Sequence, residues 1–588
     1  MAPQMPVLYS RQIFSPGNCL KMPHRFFAKL PLERILVLAS VVLGAVHAWV
    51  GRYSMNPDGV SYLDMGDALV RRDWVNALNA YWSPLYGWIL GIVVNAVKPP
   101  PKWEFPLVHL VNFVIFLITL LAFRFLLRAL LAFRHERNAD CETGSNEEMT
   151  LPEWVLTILG YATFLWVSFE LESLYDVSPD LAVVACVCFA AGVLLRFRER
   201  PALWKFVLFG LILGAGYWVK APLFPLGFVF LALSYCWGRS SRSWRHGMVA
   251  ASLVFLFTSA PLVLALSRQK GRLTFGDSGR LNYAWMVSPR TFWRNWQGEI
   301  RGSGTPVHPT HQVLRHPPVF EFNGPVIGTY PPWTDPSYWN EGLQWHFQLR
   351  PQIEVFGRSL ASESRILLRA QPGLVTGVIV LALLSGRVWL AGLREFWPLI
   401  AIPVAAMVLY APVHVEDRFL GGFILVLFLT LLAAVRPRPA DQRSASYVAL
   451  AVFITVALSI ADLTIRYATD HLAIPGVGPN STVEHLVAAE QLWRMGARPG
   501  DRVAIIGDGT GAYWARLAKL RIIAEIMAAN HGAEEFWRAS ELAQQQVYDA
   551  FANAGATLVI ASCPPGTSAG WQQIEGTTYC VYPLHRPQ

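Results

Sequence analysis

The stretch NPDGVSYLDMGDALVRRDWVNALNAYWSPLYG sets four carboxylates, Asp58, Asp64, Asp67 and Asp73, among the rings of Tyr62, Trp74, Tyr81, Trp82 and Tyr86. It directly follows an apolar run, so these acids sit at a membrane face, where carboxylates beside aromatic rings suit chemistry on a polar substrate. A plainer reading stands beside this one. Asn56 caps a helix, Pro57 opens its first turn, and the helix macrodipole alone favours Asp58 there. A second acidic stretch, FELESLYDVSPD, carries Glu170, Glu172, Asp176 and Asp180. Acids at a membrane boundary are unfavourable unless hydrated, paired or bound to a cation; the plainer alternative is a wet loop with Asp180 capping the next span. Lys220 interrupts the apolar run GYWVKAPLFPLG. A charge there costs on the order of 3 kcal/mol on insertion scales unless it snorkels to the interface. His414, Glu416, Asp417 and Arg418 cluster in APVHVEDRFLGGF. The Arg418 guanidinium can grip a phosphate at two points, or pair internally with Glu416 or Asp417.

The tail holds a competing motif. VAIIGDGTGAYWARL places Gly507, Gly509 and Ala512 as G-x-G-x-x-A between a strand pattern and a helix pattern, with Glu525 at a ribose-binding distance. Taken alone it points to a dinucleotide. Gly-rich strand-to-helix turns are common, however, and the topology below puts this segment outside the cytoplasm, away from that cofactor pool. No His–Cys cluster has structural-zinc spacing.

The elements that must position these residues are mostly membrane helices. Of 588 residues, 53% are AVILMFWYC and only 15% DEKR, whereas soluble domains run nearer a quarter charged. A helix needs about 20 apolar residues to cross a ~30 Å hydrocarbon core. Eleven runs qualify, at about 34–52, 104–131, 152–170, 178–195, 203–219, 222–237, 247–266, 372–391, 396–412, 419–435 and 445–465. The formal charge of +9 comes from Lys and Arg clusters flanking these runs, which is a topology signal and not a nucleic-acid-binding face. Those clusters put the amino-terminal segment 1–33 in the cytoplasm. They also put the acidic loops, a long Pro-, Gly- and aromatic-rich loop at 267–370 and the tail outside. Residues 84–97 are apolar but short, and parity favours a re-entrant or tilted helix within the outer loop 53–103. The long loop's composition favours irregular backbone over packed elements. Hydropathy drops from about 476 to 588, where strand and helix patterns alternate as in a small α/β domain. Cys563 and Cys580 both fall in that outer domain and could be bridged.

The first outer loop and its Trp-Ser-Pro-Leu-Tyr element resemble the start of the GT-C glycosyltransferases. The likeness is to the polytopic family of protein mannosyltransferases and the lipid A aminoarabinose transferase, which use polyprenyl-phosphate sugars. As an architecture it covers roughly residues 34–435. The resemblance implies an α-helical polytopic GT-C-like membrane domain over 34–475, carrying an extracytoplasmic α/β domain. It also implies transfer of a sugar from a polyprenyl-phosphate donor to an extracytoplasmic lipid, glycan or protein acceptor, on the outer face of the cell's cytoplasmic (inner) membrane. The family's acidic base matches Asp58; Gly59 replaces the second acid of the usual pair, and Asp64 is the substitute. Lys220 and Arg418 match donor-phosphate cations, with Phe419 in place of a family Tyr. Tyr62, Trp82, Tyr86, Glu172, Glu416 and Asp417 would line the substrate site. Asp180 matches an acid that builds the site or binds a divalent metal, the one cofactor the resemblance raises. The rival readings are a flippase or transporter of polyprenyl-linked substrates and a non-catalytic assembly scaffold. A transporter would place ionisable residues near mid-bilayer in related halves. Here the acids gather at outer span ends and no internal repeat is visible.

Overall fold

In a computed structural model the described residues are 32–584 except 142–149, 200, 239–240, 288–293, 299–301, 308–309, 323, 325, 345, 473–481, 529–530 and 564–569. Nearly all of the expected cytoplasmic segment 1–33, and the boundary near 476, lie outside them.

The apolar runs fold as helices: α1 (Leu32–Val50), α2 (Pro57–Val70), α3 (Pro84–Val97), α4 (Pro101–Cys141), α5 (Glu153–Trp166), α6 (Asp180–Glu199), α7 (Leu203–Val219), α8 (Leu223–Gly238) and α9 (Arg242–Lys270). After the long loop come α10 (Leu349–Leu368), α11 (Pro372–Ser385), α12 (Arg387–Glu395), α13 (Trp397–Tyr410), α14 (Asp417–Ala433) and α15 (Gln442–Leu472). Among the described residues, six helical stretches are long and apolar enough to cross a membrane, or eight if each of two bent pairs counts as one span. α3, α7 and α8 are shorter apolar helices; the 14 residues of α3 reach only about 21 Å at ~1.5 Å per residue.

Two expectations change. The run at 372–391 is not one helix, because Gly386 (φ +59°) takes a conformation that ends α11 and starts α12. α10 and α11 meet at 73°, and α12 and α13 at 80°. The long outer loop is also more ordered than its composition implies. It carries the 20-residue α10, whose Ile353, Phe356 and Leu360 recur at helical spacing while its mean hydropathy is neutral.

Packing centres on α14, which is apolar all round: Leu420, Phe423, Ile424, Leu425 and Leu429 are each at most 1% exposed. A helix of that kind belongs inside a bundle, and α14 packs against α5, α6 and α13. α2 lies across α3 at a glycine contact. A Cβ at Gly66 would sit 2.5 Å from the Gly87 carbonyl oxygen, so only the bare backbone permits the approach.

The carboxyl-terminal region builds a seven-stranded sheet in the order β1-β2-β4-β3-β5-β7-β6. β3 (Arg502–Gly507) lies between β4 (Arg521–Met527) and β5 (Leu558–Ser562), and all three are parallel. β7 (Tyr579–Pro583) and the short β6 (Gln572–Gln573) extend one edge antiparallel. The long loop supplies the other edge as a hairpin, β1 (His311–Arg315) and β2 (Pro318–Glu321), with Phe320 opposite Glu525 on β4. Sequence composition alone hides this exchange, because a short edge hairpin needs no long apolar pattern.

Cys580 sits on β7 opposite Ala561, next to Cys563, and the two cysteines are bridged across 5.1 Å between Cα atoms. Denatured but unreduced protein should therefore leave Cys563 and Cys580 unlabelled by a thiol reagent, and both should react after reduction. Labelling of both before reduction contradicts the bridge.

Candidate active site

Three helix starts meet at one end of the bundle, and each carries an acid where the macrodipole favours one. Asp58 is in the first turn of α2, Asp180 opens α6, and Glu416 and Asp417 open α14. Arg418 joins them. Its Nη1 donates to Asp58 Oδ2 at 3.2 Å and lies 3.7 Å from Asp180 Oδ2, while its Nε donates to Glu416 Oε2 at 2.7 Å. Lys220, just beyond the end of α7, donates to Asp180 Oδ1 and sits 4.3 Å from the Phe419 ring centroid. His414 Nε2 meets Glu416 Oε1 at 3.0 Å, and Arg365 of α10 donates to Asp417 at 2.8 Å.

A π-turn, Val167–Leu171, follows α5 and delivers Glu172 to the cluster's edge; such turns recur at functional sites. Ser173 has φ +56°, a left-handed conformation uncommon for a non-glycine residue. Glu172 is buried and its Oε2 has no protein partner. It lies flat on α14 because Gly421 has no side chain: a Cβ there would fall 2.0 Å from Glu172 Oε1. The cluster thus holds Asp58, Asp180, Glu416 and Glu172 against Lys220 and Arg418. That acid surplus leaves the carboxyls unequal. Burial pushes Asp58 above the ordinary carboxylate range against the pull of Arg418 and lifts Asp176 to about 6. Burial also acts to raise Glu416, but hydrogen bonds from His414 and Arg418 hold it down at about 2.

Asn56 and Pro57 do occupy the cap and first-turn positions, yet the Asn56 side chain makes no cap hydrogen bond. Asp58 also pairs with Arg418, an interaction that the helix-start preference alone does not supply.

Asp64 lies elsewhere. The structure buries it beneath the α/β domain, where its Oδ2 accepts from the Thr329 N–H at 2.7 Å and its Oδ1 from Arg516 Nη1 at 3.0 Å. Arg516 also donates to Asp67 and, at 2.8 Å, to Glu104 Oε1; Lys519 reaches Glu104 Oε2 at 2.6 Å. This second cluster joins the α/β domain to α2 and α4. Sequence reading missed its cations, although Glu104 at the head of an apolar run was a sign of a partner. Tyr62, Trp82 and Tyr86 are also packed away. Tyr62 meets Trp82 and Tyr86 edge-on at 5.6 and 5.0 Å, and the Tyr86 hydroxyl donates to Asn112 at 2.6 Å. With each at most 7% exposed, these rings hold the loop together and offer little surface to a substrate.

The glycine motif in the tail also has a packing explanation. A Cβ at Gly509 would fall 2.3 Å from the Tyr330 ring. Glu525 is fully buried on β4, accepting from Tyr330 and Asn295 at 2.7 and 2.9 Å, so its carboxylate is not offered to a ribose.

Asp180, the residue matched to a divalent metal, is met by two protein cations in this structure. Among the described residues no three His, Cys, Asp or Glu side chains are grouped to hold an ion.

The chain, a multispanning helical bundle with a carboxyl-terminal strand-containing region, has a GT-C-like fold. No protein-family model and no curated protein matches it. Among solved structures it is similar to ArnT of Cupriavidus metallidurans bound to undecaprenyl phosphate. The TM-score is 0.50 and the identity 12%, over 93% of this chain and 97% of that one. Apo ArnT gives 0.49 at 11% identity over 89% and 92% of the two chains. The oligosaccharyltransferase of Archaeoglobus fulgidus, in complex with Zn and sulfate, gives 0.47 at 12% over 90% and 68%.

Removing one member of a buried ion cluster leaves the others uncompensated, a loss of roughly 3–5 kcal/mol. Arg516→Met should therefore lower the melting temperature of the purified protein well below that of Arg516→Lys, which keeps the charge. Equal melting of the two variants and the wild type would mean that the cluster does not hold the domain.

Proposed function

We propose that the chain is a membrane glycosyltransferase that moves a sugar from a polyprenyl-phosphate donor to a hydroxyl of an extracytoplasmic acceptor, with inversion at the anomeric carbon. The observation that carries this reading is the convergence of Lys220 and Arg418, far apart in sequence, on Asp58 and Asp180 where three helix starts meet. The undecaprenyl phosphate bound to a protein of the same fold supports the choice of donor class.

Lys220 and Arg418 keep side-chain exposures of 20% and 26%, enough for a phosphate to reach both. Their carboxylate partners fix the guanidinium fork and ammonium before the donor arrives, which is electrostatic preorganisation. The acceptor oxygen attacks the anomeric carbon as the bond from that carbon to the phosphate oxygen breaks. The acceptor proton passes to Asp58, and the polyprenyl phosphate leaves with its charge held by Lys220 and Arg418. Burial favours this choice of base: a carboxyl with a raised pKa accepts a proton more readily than an exposed one. Glu416, held at low pKa, keeps the fork of Arg418 oriented.

Asp58→Asn removes the base and keeps the shape. Arg418 retains Glu416 and Asp180, so thermal stability should change little. Radiolabelled-sugar transfer by purified protein should fall by roughly 10²–10⁴-fold, the scale of general-base loss. Near-wild-type transfer would take Asp58 out of the chemistry.

Arg418→Lys keeps one positive charge but loses the two-point fork. Saturation with donor should need more polyprenyl-phosphate sugar, with acceptor dependence unchanged; an unaltered donor curve would place phosphate recognition elsewhere.

The pH dependence has a definite sign. Asp58 must be ionised to accept a proton, and burial raises its pKa, so transfer should decline on acidification at a pH above the ordinary carboxylate range. The charges of Glu416 and Asp180 add to that rise. An acid limb at the ordinary carboxylate value contradicts the assignment.

A further inference from the structure

A cavity of 430 Å³ opens at the carboxyl ends of the parallel strands β3 and β5, within the ~300–1,000 Å³ range of small-molecule sites. Its walls come from both parts of the protein. Ile505 to Asp508 and Ile560 to Ser562 come from the sheet, and Met55 comes from the junction between α1 and α2. Met55 is three residues before Asp58 and approaches the same turn of α2: a Cβ on Gly59 would sit 2.7 Å from its sulfur. Ala512 and Tyr513, which line the cavity, also border a small gap lined by Pro57, Val60 and Ser61 of α2. The cavity is therefore beside the first turn of α2, which carries the proposed base.

His485, Tyr513, Trp514 and Tyr579 line it together with Ser562 and Asp508. The choice of ligand is narrowed by the chemistry of this lining. It contains no lysine or arginine, and burial pushes His485 down to about 4, so it is neutral at physiological pH. A phosphate or nucleotide would meet the Asp508 carboxylate, whose cation Arg294 is already paired to it. The lining itself offers aromatic rings, a hydroxyl and one carboxylate. His485 lies 5.1 Å from the Tyr513 ring and 5.7 Å from the Tyr579 ring, and Ser562 and Asp508 offer oxygens at the rim. Rings that cover apolar C–H faces, beside groups that bond hydroxyls, are the complement of a neutral sugar.

We infer that this cavity binds a neutral sugar unit of the acceptor, holding it so that a hydroxyl reaches Asp58. The inference deepens the glycosyltransferase reading and rests on it for the word acceptor; the ligand class rests on the cavity itself. A glycan acceptor thus takes precedence over a phosphorylated or peptide one.

Two variants fill the cavity without disturbing packing. A Cβ at Gly511 meets nothing within 4 Å, and its backbone is not in the left-handed region, so Gly511→Phe projects into open space. Ser562 is exposed at the end of β5, so Ser562→Trp blocks the rim from the other side. Saturation-transfer NMR on the full chain in detergent would use methyl glucoside, methyl mannoside and methyl galactoside as probes, with AMP as the charged control. At least one glycoside should give signal with the wild type, and that signal should be lost in both filled variants, with AMP silent throughout. Absence of any glycoside signal in the wild type, persistence of the signal in both variants, or AMP binding in place of sugar would overturn the inference. Thermal stabilisation by undecaprenyl phosphate, followed in parallel, reports the donor site. Its absence alongside cavity-dependent sugar binding would count against the glycosyltransferase reading and leave the sugar site standing.

Discussion

The structure depends on neutralising carboxylates that have been drawn out of water at the end of a membrane bundle. Asp180 is 1% exposed, and an isolated carboxylate so placed would be prohibitively unfavourable. Arg418 and Lys220 resolve this from opposite sides, and in doing so they tie α14 and the end of α7 to α2 and α6. Such a cluster is weak evidence for stability, since apolar packing would serve as well or better. Its value is in position. On the proposed reading the cations that neutralise the acids also receive the donor phosphate, while burial pushes Asp58 toward accepting a proton.

A second arginine does corresponding work between domains. Arg516 gathers Asp64, Asp67 and Glu104, so α2 is gripped at both ends: Asp58 by the membrane bundle, Asp64 and Asp67 by the α/β domain. The loop hairpin added to the sheet at β4 reinforces the same union, since the 267–370 segment begins and ends in membrane helices. The cavity beneath β3 and β5 is one consequence. It exists because the domain is held with the carboxyl ends of its strands next to the start of α2.

Much of this was legible in the sequence, for reasons that differ by residue. The membrane helices follow from apolar length, and the Cys563–Cys580 bridge from two cysteines placed near the last two strand patterns. Asp58, Asp180, Lys220, Glu416 and Arg418 stood out because charge at the end of an apolar run is unfavourable without a partner. Their mutual distances were not legible, since Asp58 and Arg418 are 360 residues apart. Asp64 was misjudged for the same reason: nothing local says that an arginine in the tail will claim it. Tyr62, Trp82 and Tyr86 read equally well as ligand contacts or as core, and only burial separates the two. The break at Gly386 was marked by Ser385-Gly386-Arg387, which interrupts the apolar run, whereas α10 was hidden because an amphipathic helix averages to neutral hydropathy.

The central claim is that the Lys220–Arg418 pair is a site for a phosphate on a lipid chain. Native mass spectrometry of the wild-type protein released from micelles, offered undecaprenyl phosphate and undecaprenol in equal amounts, tests it most directly. The account predicts retained adducts of the phosphorylated lipid, few of the alcohol, and loss of the preference when Lys220 and Arg418 are both replaced by Met. Equal retention of the two lipids by the wild type, or an undiminished preference in the double variant, would contradict it.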